Sequence, residues 1–255
     1  MQLRLAEEGK KMTKLTAQVW IGTSGYQYSH WKGIFYPEDL PKKNWFRHYH
    51  KHFKTVEINN TFYNLPKAET FENWRDRAPE DFCYALKFSR YGTHMKKLKD
   101  PEKALDKFMA MASILQKKLG PILIQLPPHW KANPERLQEF LRRVPFGPRF
   151  TVEFRDPTWL DDSIFKILEN HRAALCIHDM IYDHPERTTA DWVYYRFHGR
   201  NYGGNYSHQK LSAVADRLAI HIKAERDVFA YFNNDLEGHA IHNALDLQRY
   251  VMDRI

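Results

Sequence analysis

The sequence predicts a closed (β/α)8 TIM barrel in a single domain. Three observations carry that expectation. Eight apolar, alternating segments recur along 255 residues, and helical patterns occupy most of the gaps between them. The chain length also matches the roughly 250 residues such a barrel needs. An open doubly wound sheet is the competing arrangement. It usually wants fewer strands and a glycine-rich dinucleotide turn after the first, and GTSGY at 22–26 lacks GxGxxG.

The strand candidates are VWIGTSG (19–25), TVEINNTFY (55–63), FCYALKFSR (82–90), PILIQLP (121–127), RFTVEFRD (149–156), AALCIHD (173–179), WVYYRFHG (192–199) and DVFAYFNND (227–235). All are rich in β-branched and aromatic residues. Helical patterns follow at 44–53, 68–79, 101–120, 133–145, 162–171, 210–226 and 239–252. The third helix starts at Pro101 and is expected to stop at Gly120; the fourth has Asn133 as cap and Pro134 in its first turn. MIYDHPERTTAD (180–191) is too short and polar to predict a helix. No Pro/Gly/Ser linker divides the chain, so one domain is expected over 18–255.

Residues 1–17 mix both charge signs and lack an apolar signal core, which marks an extension outside the fold, expected to be poorly ordered, and points to the cytoplasm. No apolar run reaches membrane-spanning length, so no membrane partner is expected. Hydrophobic residues make up 43% and charged residues 27%, which excludes a disordered chain. Cys83 and Cys176 lie inside strand segments without CxxC spacing and read as buried thiols. The net charge of +8 favours anionic partners, either a small molecule or nucleic acid, but the lysines are spread along the chain. The oligomeric state is not readable.

Strand parity locates the chemistry. Residues two apart share a face, and in a barrel one face meets the helices while the other fills the interior. The helix-facing set includes Val56, Ile58, Leu86, Phe88, Ile122, Ile124, Val152, Phe154, Val193, Tyr195, Phe197, Val228 and Phe232, almost wholly apolar. The opposite set turns polar toward each strand's C-terminal end: Ser24, Glu57, Asn59, Lys87, Ser89, Gln125, Glu153, Arg155, His178, Arg196, His198 and Asn233. Buried charges must neutralise one another or face a wet pocket. In this fold all eight strand ends meet at one mouth, where enzymes of the class place their active sites.

Several chemistries fit that set. Glu57 and Glu153 on separate strands could work as acid and base, or as acid and nucleophile, in a hydrolase. Lys87, if desolvated, could form a Schiff base; the bland reading pairs it with a glutamate. His178, Asp179 and His198 with a glutamate could hold a divalent metal, although no HxH or HExxH spacing supports this and the sequence requires no cofactor. Gly199, Arg200, Gly203 and Gly204 after the seventh strand and Gly238 before the last helix suit a phosphate site. Tyr26, Tyr28, Trp31, Phe35 and Tyr36 crowd the loop after the first strand, to stack a ligand or to pin that loop on the rim. A structural ion-pair plug is the alternative to any site at all.

The segments IGTSGYQYSHWKGIFYP, FKTVEINNTFYNLP, FENWRDRAPEDFCYALKFSRYGTH, LIQLPP, TVEFRDPTWL, YYRFHGRN and FAYFNNDLEGHAIHNA, in this order from Ile21 to about Tyr250, resemble the DUF72 or YecE-like family. Tyr26 stands where many relatives carry tryptophan. The resemblance implies a TIM barrel and no established activity. Family motifs cover Ser24, Glu57, Asn59, Lys87, Glu153, Arg155, Arg196, His198, Asn233 and, after the third strand, His94. The expectation is an enzyme acting on an anionic, phosphorylated or nucleotide-like substrate. Glu57, Glu153, Lys87 and His198 are its catalytic candidates; Ser24, Tyr26, Asn59, Gln125, Arg155, His178, Arg196 and Asn233 are its substrate-binding candidates. The alternative is a nucleic-acid-binding protein without catalysis, or a metal-dependent phosphoesterase on the same barrel.

Overall fold

A computed structural model describes residues 17–199 and 203–255. Up to residue 16 the expected N-terminal extension lies outside the described residues, as does Arg200. Eight parallel strands close into a barrel in sequence order. They are β1 (Val19–Ser24), β2 (Thr55–Ile58), β3 (Cys83–Lys87), β4 (Leu119–Gln125), β5 (Phe150–Glu153), β6 (Ala174–His178), β7 (Trp192–Phe197) and β8 (Asp227–Phe232). Pairing of Val19–Thr23 with Val228–Phe232 closes the ring and leaves no sheet edge. Around it lie α1 (Trp45–Tyr49), α2 (Asn60–Tyr63), α3 (Ala68–Arg77), α4 (Glu102–Ala112), α5 (Pro134–Leu141), α6 (Asp162–Asn170), α7 (His208–Lys223) and α8 (His239–Met252). The segment between β6 and β7 is irregular, as its polar composition predicts.

The helix starts follow their caps. Asn133 accepts a hydrogen bond from the Arg136 amide, Asp161 from Ser163 and Ser207 from Lys210, each satisfying a first-turn donor. Two segments depart from expectation. The second strand stops at Ile58 rather than Tyr63, because Asn60–Tyr63 coils into one helical turn. The third helix stops at Ala112, passes through a 3-10 stretch (Ser113–Lys118) and gives way to β4 before Gly120. Gly120 is therefore a strand residue and no helix stop: a side chain there would run into the Cys83 sulfur and the Tyr84 carbonyl. Its absent side chain lets β3 and β4 approach.

Parity sorts the core as expected. Every helix-facing residue named above belongs to one large apolar layer between barrel and helices. The interior holds a second, smaller cluster: Cys83, Ala85, Leu123, Ala174, Cys176, Trp192, Tyr194, Phe229 and Tyr231. Trp20 stacks on Phe229 with ring centroids 4.5 Å apart. This plug dries the lower barrel, so the polar layer above it can meet water only through the C-terminal mouth. Both cysteines are buried and free.

The close approach of β2 also sets a steric limit on β1. A methyl group at Gly22 would lie 2.5 Å from the Thr55 carbonyl oxygen and 3.1 Å from its Cγ2. Gly22→Ala should therefore destabilise the fold by about 1–3 kcal/mol through overpacking. The check is a lower urea midpoint with an unchanged denaturant slope.

Candidate functional site

The barrel register brings the polar ends of the strands together. Ser24 pairs with Glu57, Gln125 with Glu153 and His178 with Arg196 across neighbouring strands. Arg196 lies at the centre. Its Nη2 donates to Glu57 Oε1 at 2.8 Å and its Nη1 to Glu153 Oε2 at 2.5 Å. All three side chains are sealed, at 1% exposure for Arg196 and 0% for both glutamates. Glu57 also accepts from the Ser24 hydroxyl and, at 2.7 Å, from the Tyr194 hydroxyl. Glu153 accepts from Arg155 Nε, and the Cys176 thiol lies 3.8 Å from its other oxygen.

Burial alone would push both carboxyls up, because it penalises the charged form. For Glu57 the Arg196 charge and the Ser24 and Tyr194 hydrogen bonds overcome that and hold it below its usual range. For Glu153, Arg155, Arg196 and His198 hold it well below. Arg196 in turn is raised well above its usual value: burial opposes its charge, and the two carboxylates outweigh burial. A general acid must carry a proton at working pH. Neither glutamate does, and a guanidinium separates them, so the acid–base pairing expected for a hydrolase has no supporting geometry.

Above this layer sits Gln125, whose Oε1 accepts from Lys87 Nζ at 2.8 Å, Arg155 Nη2 at 3.2 Å and Arg196 Nη1 at 3.4 Å. Three cations thus share one amide oxygen. Lys87 Nζ also lies 4.2 Å from the centroid of Phe62. Burial, then the Arg196 charge, lower its pKa to about 7, with the two glutamates only partly compensating. The expected Lys87–glutamate ion pair is absent among the described residues, because Arg196 and Arg155 already hold both carboxylates. His198 is buried, and its pKa drops to about 4 through burial and the nearby Arg196. Its Nδ1 lies 3.1 Å from Asn233 Nδ2, and its Nε2 lies 3.6 Å from Glu153 Oε1 and 3.5 Å from guanidinium nitrogens of both Arg155 and Arg196.

Other expected residues land elsewhere. His178 is buried, with Nε2 on the Phe154 carbonyl at 2.7 Å and Nδ1 accepting from the Met180 amide at 3.2 Å. Both nitrogens serve the backbone. Asp179 accepts from the His198 amide at 2.9 Å and from the Tyr206 hydroxyl. With these partners the proposed His178–Asp179–His198 metal set does not converge. Among the described residues no group of three or more His, Cys, Asp or Glu is arranged to hold a metal. Tyr26 packs outward against Phe46 and Tyr49. With Tyr28, Asn59 and Trp74 it lines a small rim cavity of about 190 Å³.

The glycines of the expected phosphate loop have structural duties. Gly199 (φ 65°) gives its amide to the Tyr206 hydroxyl at 2.6 Å, and a side chain there would strike Gly203. Gly204 accepts from Asn234 Nδ2 at 2.9 Å, and the Gly238 amide bonds Asp235. These groups tie the β7 and β8 loops together, so no phosphate cradle is formed by the described part of the loop. Trp31 pins the loop after β1 by donating its indole N–H to the Asp235 carbonyl at 2.9 Å, and Tyr36 stacks on Trp45 at 4.6 Å.

Sequence reasoning missed Tyr194 and Phe62. Tyr194 shares Arg196's parity, but its aromatic body reads as core. Phe62 belongs to a stretch with strand-like composition, and only the helical turn α2 brings its ring against Lys87. His94 lies beside it, ring centroids 5.0 Å apart, with its pKa lowered to about 4 by burial and by Lys87.

The family described as "Protein of unknown function DUF72" matches residues 20–254. The chain belongs to this family. It is 25% identical over 263 residues to UPF0759 protein YunF of Bacillus subtilis, covering 88% of this chain and 92% of that protein. It is 32% identical over 110 residues to UPF0759 protein YecE of Escherichia coli, a match spanning 43% of this chain and 40% of YecE. The crystal structure of a DUF72 family protein from Thermotoga maritima superposes with a TM-score of 0.84 at 28% identity, covering 92% of this chain and 99% of that one. A DUF72 protein from Enterococcus faecalis, at 19% identity and a TM-score of 0.78 over 92% of this chain and 96% of that one, shares the fold. Among the described residues of this DUF72 chain no helix is long and apolar enough to cross a membrane.

The buried triad makes a pH prediction. In the native chain Glu57 and Glu153 are depressed, so their contribution is fully present above the usual glutamate value of 4.5 and is lost as pH falls below it. Arg196→Met leaves two buried carboxylates without their shared partner, which should cost about 3–5 kcal/mol at pH 7. Their pKa values then rise, so the variant's deficit against the native chain should narrow as pH falls from 7 to 5, while histidines held below their usual range, such as His94, cost both chains stability over the same interval. Urea midpoints of the two chains at both pH values read the narrowing.

Proposed function

We propose that this DUF72 protein is an enzyme acting on a small anionic substrate at the C-terminal mouth of the barrel, with Lys87 as the group that exchanges protons there. The supporting observation is the charge balance: Lys87, Arg155 and Arg196 face Glu57 and Glu153 around the single amide oxygen of Gln125. With Lys87 protonated, the layer carries one more positive than negative charge. An anion arriving at the rim would stabilise that surplus and raise the lysine's proton affinity. Glu57 and Glu153 then act as fixed counter-charges that position Arg196 and Arg155. The hydrolase form with paired glutamates is set aside on that ground.

The nucleic-acid-binding alternative draws on the net charge of +8 alone. Titration calorimetry with inorganic phosphate and with citrate separates the two. Binding should be lost at least tenfold in Arg155→Met and unchanged when the exposed Lys103 and Lys107 on α4 are reversed to glutamate. If neither anion binds, or if the α4 reversals matter and the mouth variant does not, the small-anion reading falls. Nucleic-acid binding would instead track surface charge and weaken steeply with salt.

Lys87 also carries a stability signature. Its pKa, about 7 when folded, lies below the 10.5 of an ordinary lysine. A depressed amine contributes stability above pH 10.5 that is lost as pH falls toward 7. Lys87→Met should therefore be more stable than the native chain at pH 7, by about 1 kcal/mol or more. The difference should shrink as pH rises to 9.5, read from paired melting temperatures.

A further inference from the structure

We propose that Lys87 is an amine nucleophile, and that the substrate is a small aldehyde or ketone carrying an anionic group. The proposal deepens the small-anion reading above and rests on it. It names what the anion must also contain.

The geometry separates Lys87 from the buried Glu57–Arg196–Glu153 triad. Glu57 and Glu153 are 0% exposed and Arg196 1%, whereas Lys87 retains 7%, as the top residue of the β3 interior face. That small exposed part lies above the ion-pair layer, on the side of the mouth. Nζ is held between the Gln125 amide oxygen at 2.8 Å and the Phe62 ring at 4.2 Å, so its direction is fixed on one polar and one apolar side. Thr61 Oγ1 donates to the Lys87 carbonyl at 2.8 Å and locks the backbone from which the side chain rises. Among the described residues no carboxylate lies within ion-pair distance of Nζ. A glutamine rather than a glutamate at 125 maintains that state, because its dipole orients the amine without supplying the negative charge that would keep it protonated.

Burial and neighbouring cations are how proteins make lysine nucleophilic. With a pKa of about 7, about half of Lys87 is free amine at pH 7, against roughly one part in two thousand for an exposed lysine of pKa about 10.4. The Nζ lone pair attacks the carbonyl carbon and forms a C–N bond, and the C=O π pair moves to oxygen, which takes a proton. Nitrogen then loses one proton to give the neutral carbinolamine, a second proton on the hydroxyl lets it leave as water, and the resulting iminium loses its N–H proton to give the imine. The net change is amine plus carbonyl to imine plus water, with no oxidant or reductant. Arg155, at the rim with its side chain 8% exposed, is placed to face the substrate's anionic group while bonded to Glu153.

Reductive trapping tests this. The full chain is treated with pyruvate at pH 7 and sodium cyanoborohydride, and the adduct is mapped by peptide mass spectrometry. One dominant adduct is expected on Lys87, at least a hundredfold faster than on other lysines, with the α-amino group as the only expected competitor. Acetaldehyde, which lacks the anion, should label Lys87 at least tenfold more slowly. Gln125→Glu restores a carboxylate partner, so trapping at pH 7 should fall at least tenfold and recover by pH 9.5; Lys87→Arg should abolish it. Labelling spread evenly over the surface lysines would overturn the proposal. So would an unlabelled Lys87 in a protein that still binds phosphate or citrate, and in that case the small-anion reading survives alone. Loss of both binding and labelling in the folded native chain removes both.

Discussion

A guanidinium with 1% exposure, bridging two carboxylates with none, is the constraint on which the rest of the mouth depends. Taking three charges out of water costs several kcal/mol each unless geometry and hydrogen bonds compensate. For the carboxylates they do: Ser24, Tyr194 and Arg155 complete the donors to Glu57 and Glu153, whereas the buried Arg196 Nε finds no acceptor among the described residues. The bridge joins β2, β5 and β7, which are not neighbours in the sheet. It therefore braces the barrel across its bore, where backbone pairing cannot reach. The same bridge converts the two most suggestive acidic residues of the sequence into permanent anions. A structural role for them and an altered chemistry for their neighbours are one consequence of one contact.

That consequence falls on Lys87. Each glutamate has a finite capacity to accept, and Arg196 and Arg155 occupy it first. An arginine wins such a contest because its planar fork engages two carboxylates at once and never loses its proton. Lysine is left with an amide dipole and an aromatic face, both of which orient it more than they charge it. Residue 125 is the decisive neighbour. Its oxygen sits among three cations, so its identity sets the electrostatic state of the layer without touching the sheet register.

Most of the architecture was legible because it depends on period-two patterning, which survives in a single sequence. Val56, Leu86, Val152 and Phe197 went to the helices and Glu57, Lys87, Glu153 and Arg196 to the bore, as parity demands. What escaped was set by space. Nothing local says that Arg196, rather than Lys87, takes both glutamates, because that choice is made between strands far apart in sequence. Gly199 and Gly238 read as phosphate loops for the same reason: a positive φ is visible as glycine, but whether the freed amide meets a ligand or a tyrosine is decided by Tyr206 and Asp235. The turn Asn60–Tyr63 was masked by its aromatic, β-branched composition, which suits a strand in isolation.

The rim bears on the proposal that the arrangement is a site instead of a plug. Loops after β1 and β8 are joined by Trp31 to Asp235, and those after β6 and β7 by Asp179 to Tyr206 and to the His198 amide. These bonds hold the mouth in shape before any ligand arrives, so the cost of ordering it is met in folding and not in binding. A pure plug needs neutrality and close packing alone. This layer departs from that in one place: among the described residues it retains a cation, Lys87, with no carboxylate at ion-pair distance. Such a group lowers the stability of the folded chain, so its presence calls for a use that stability does not supply.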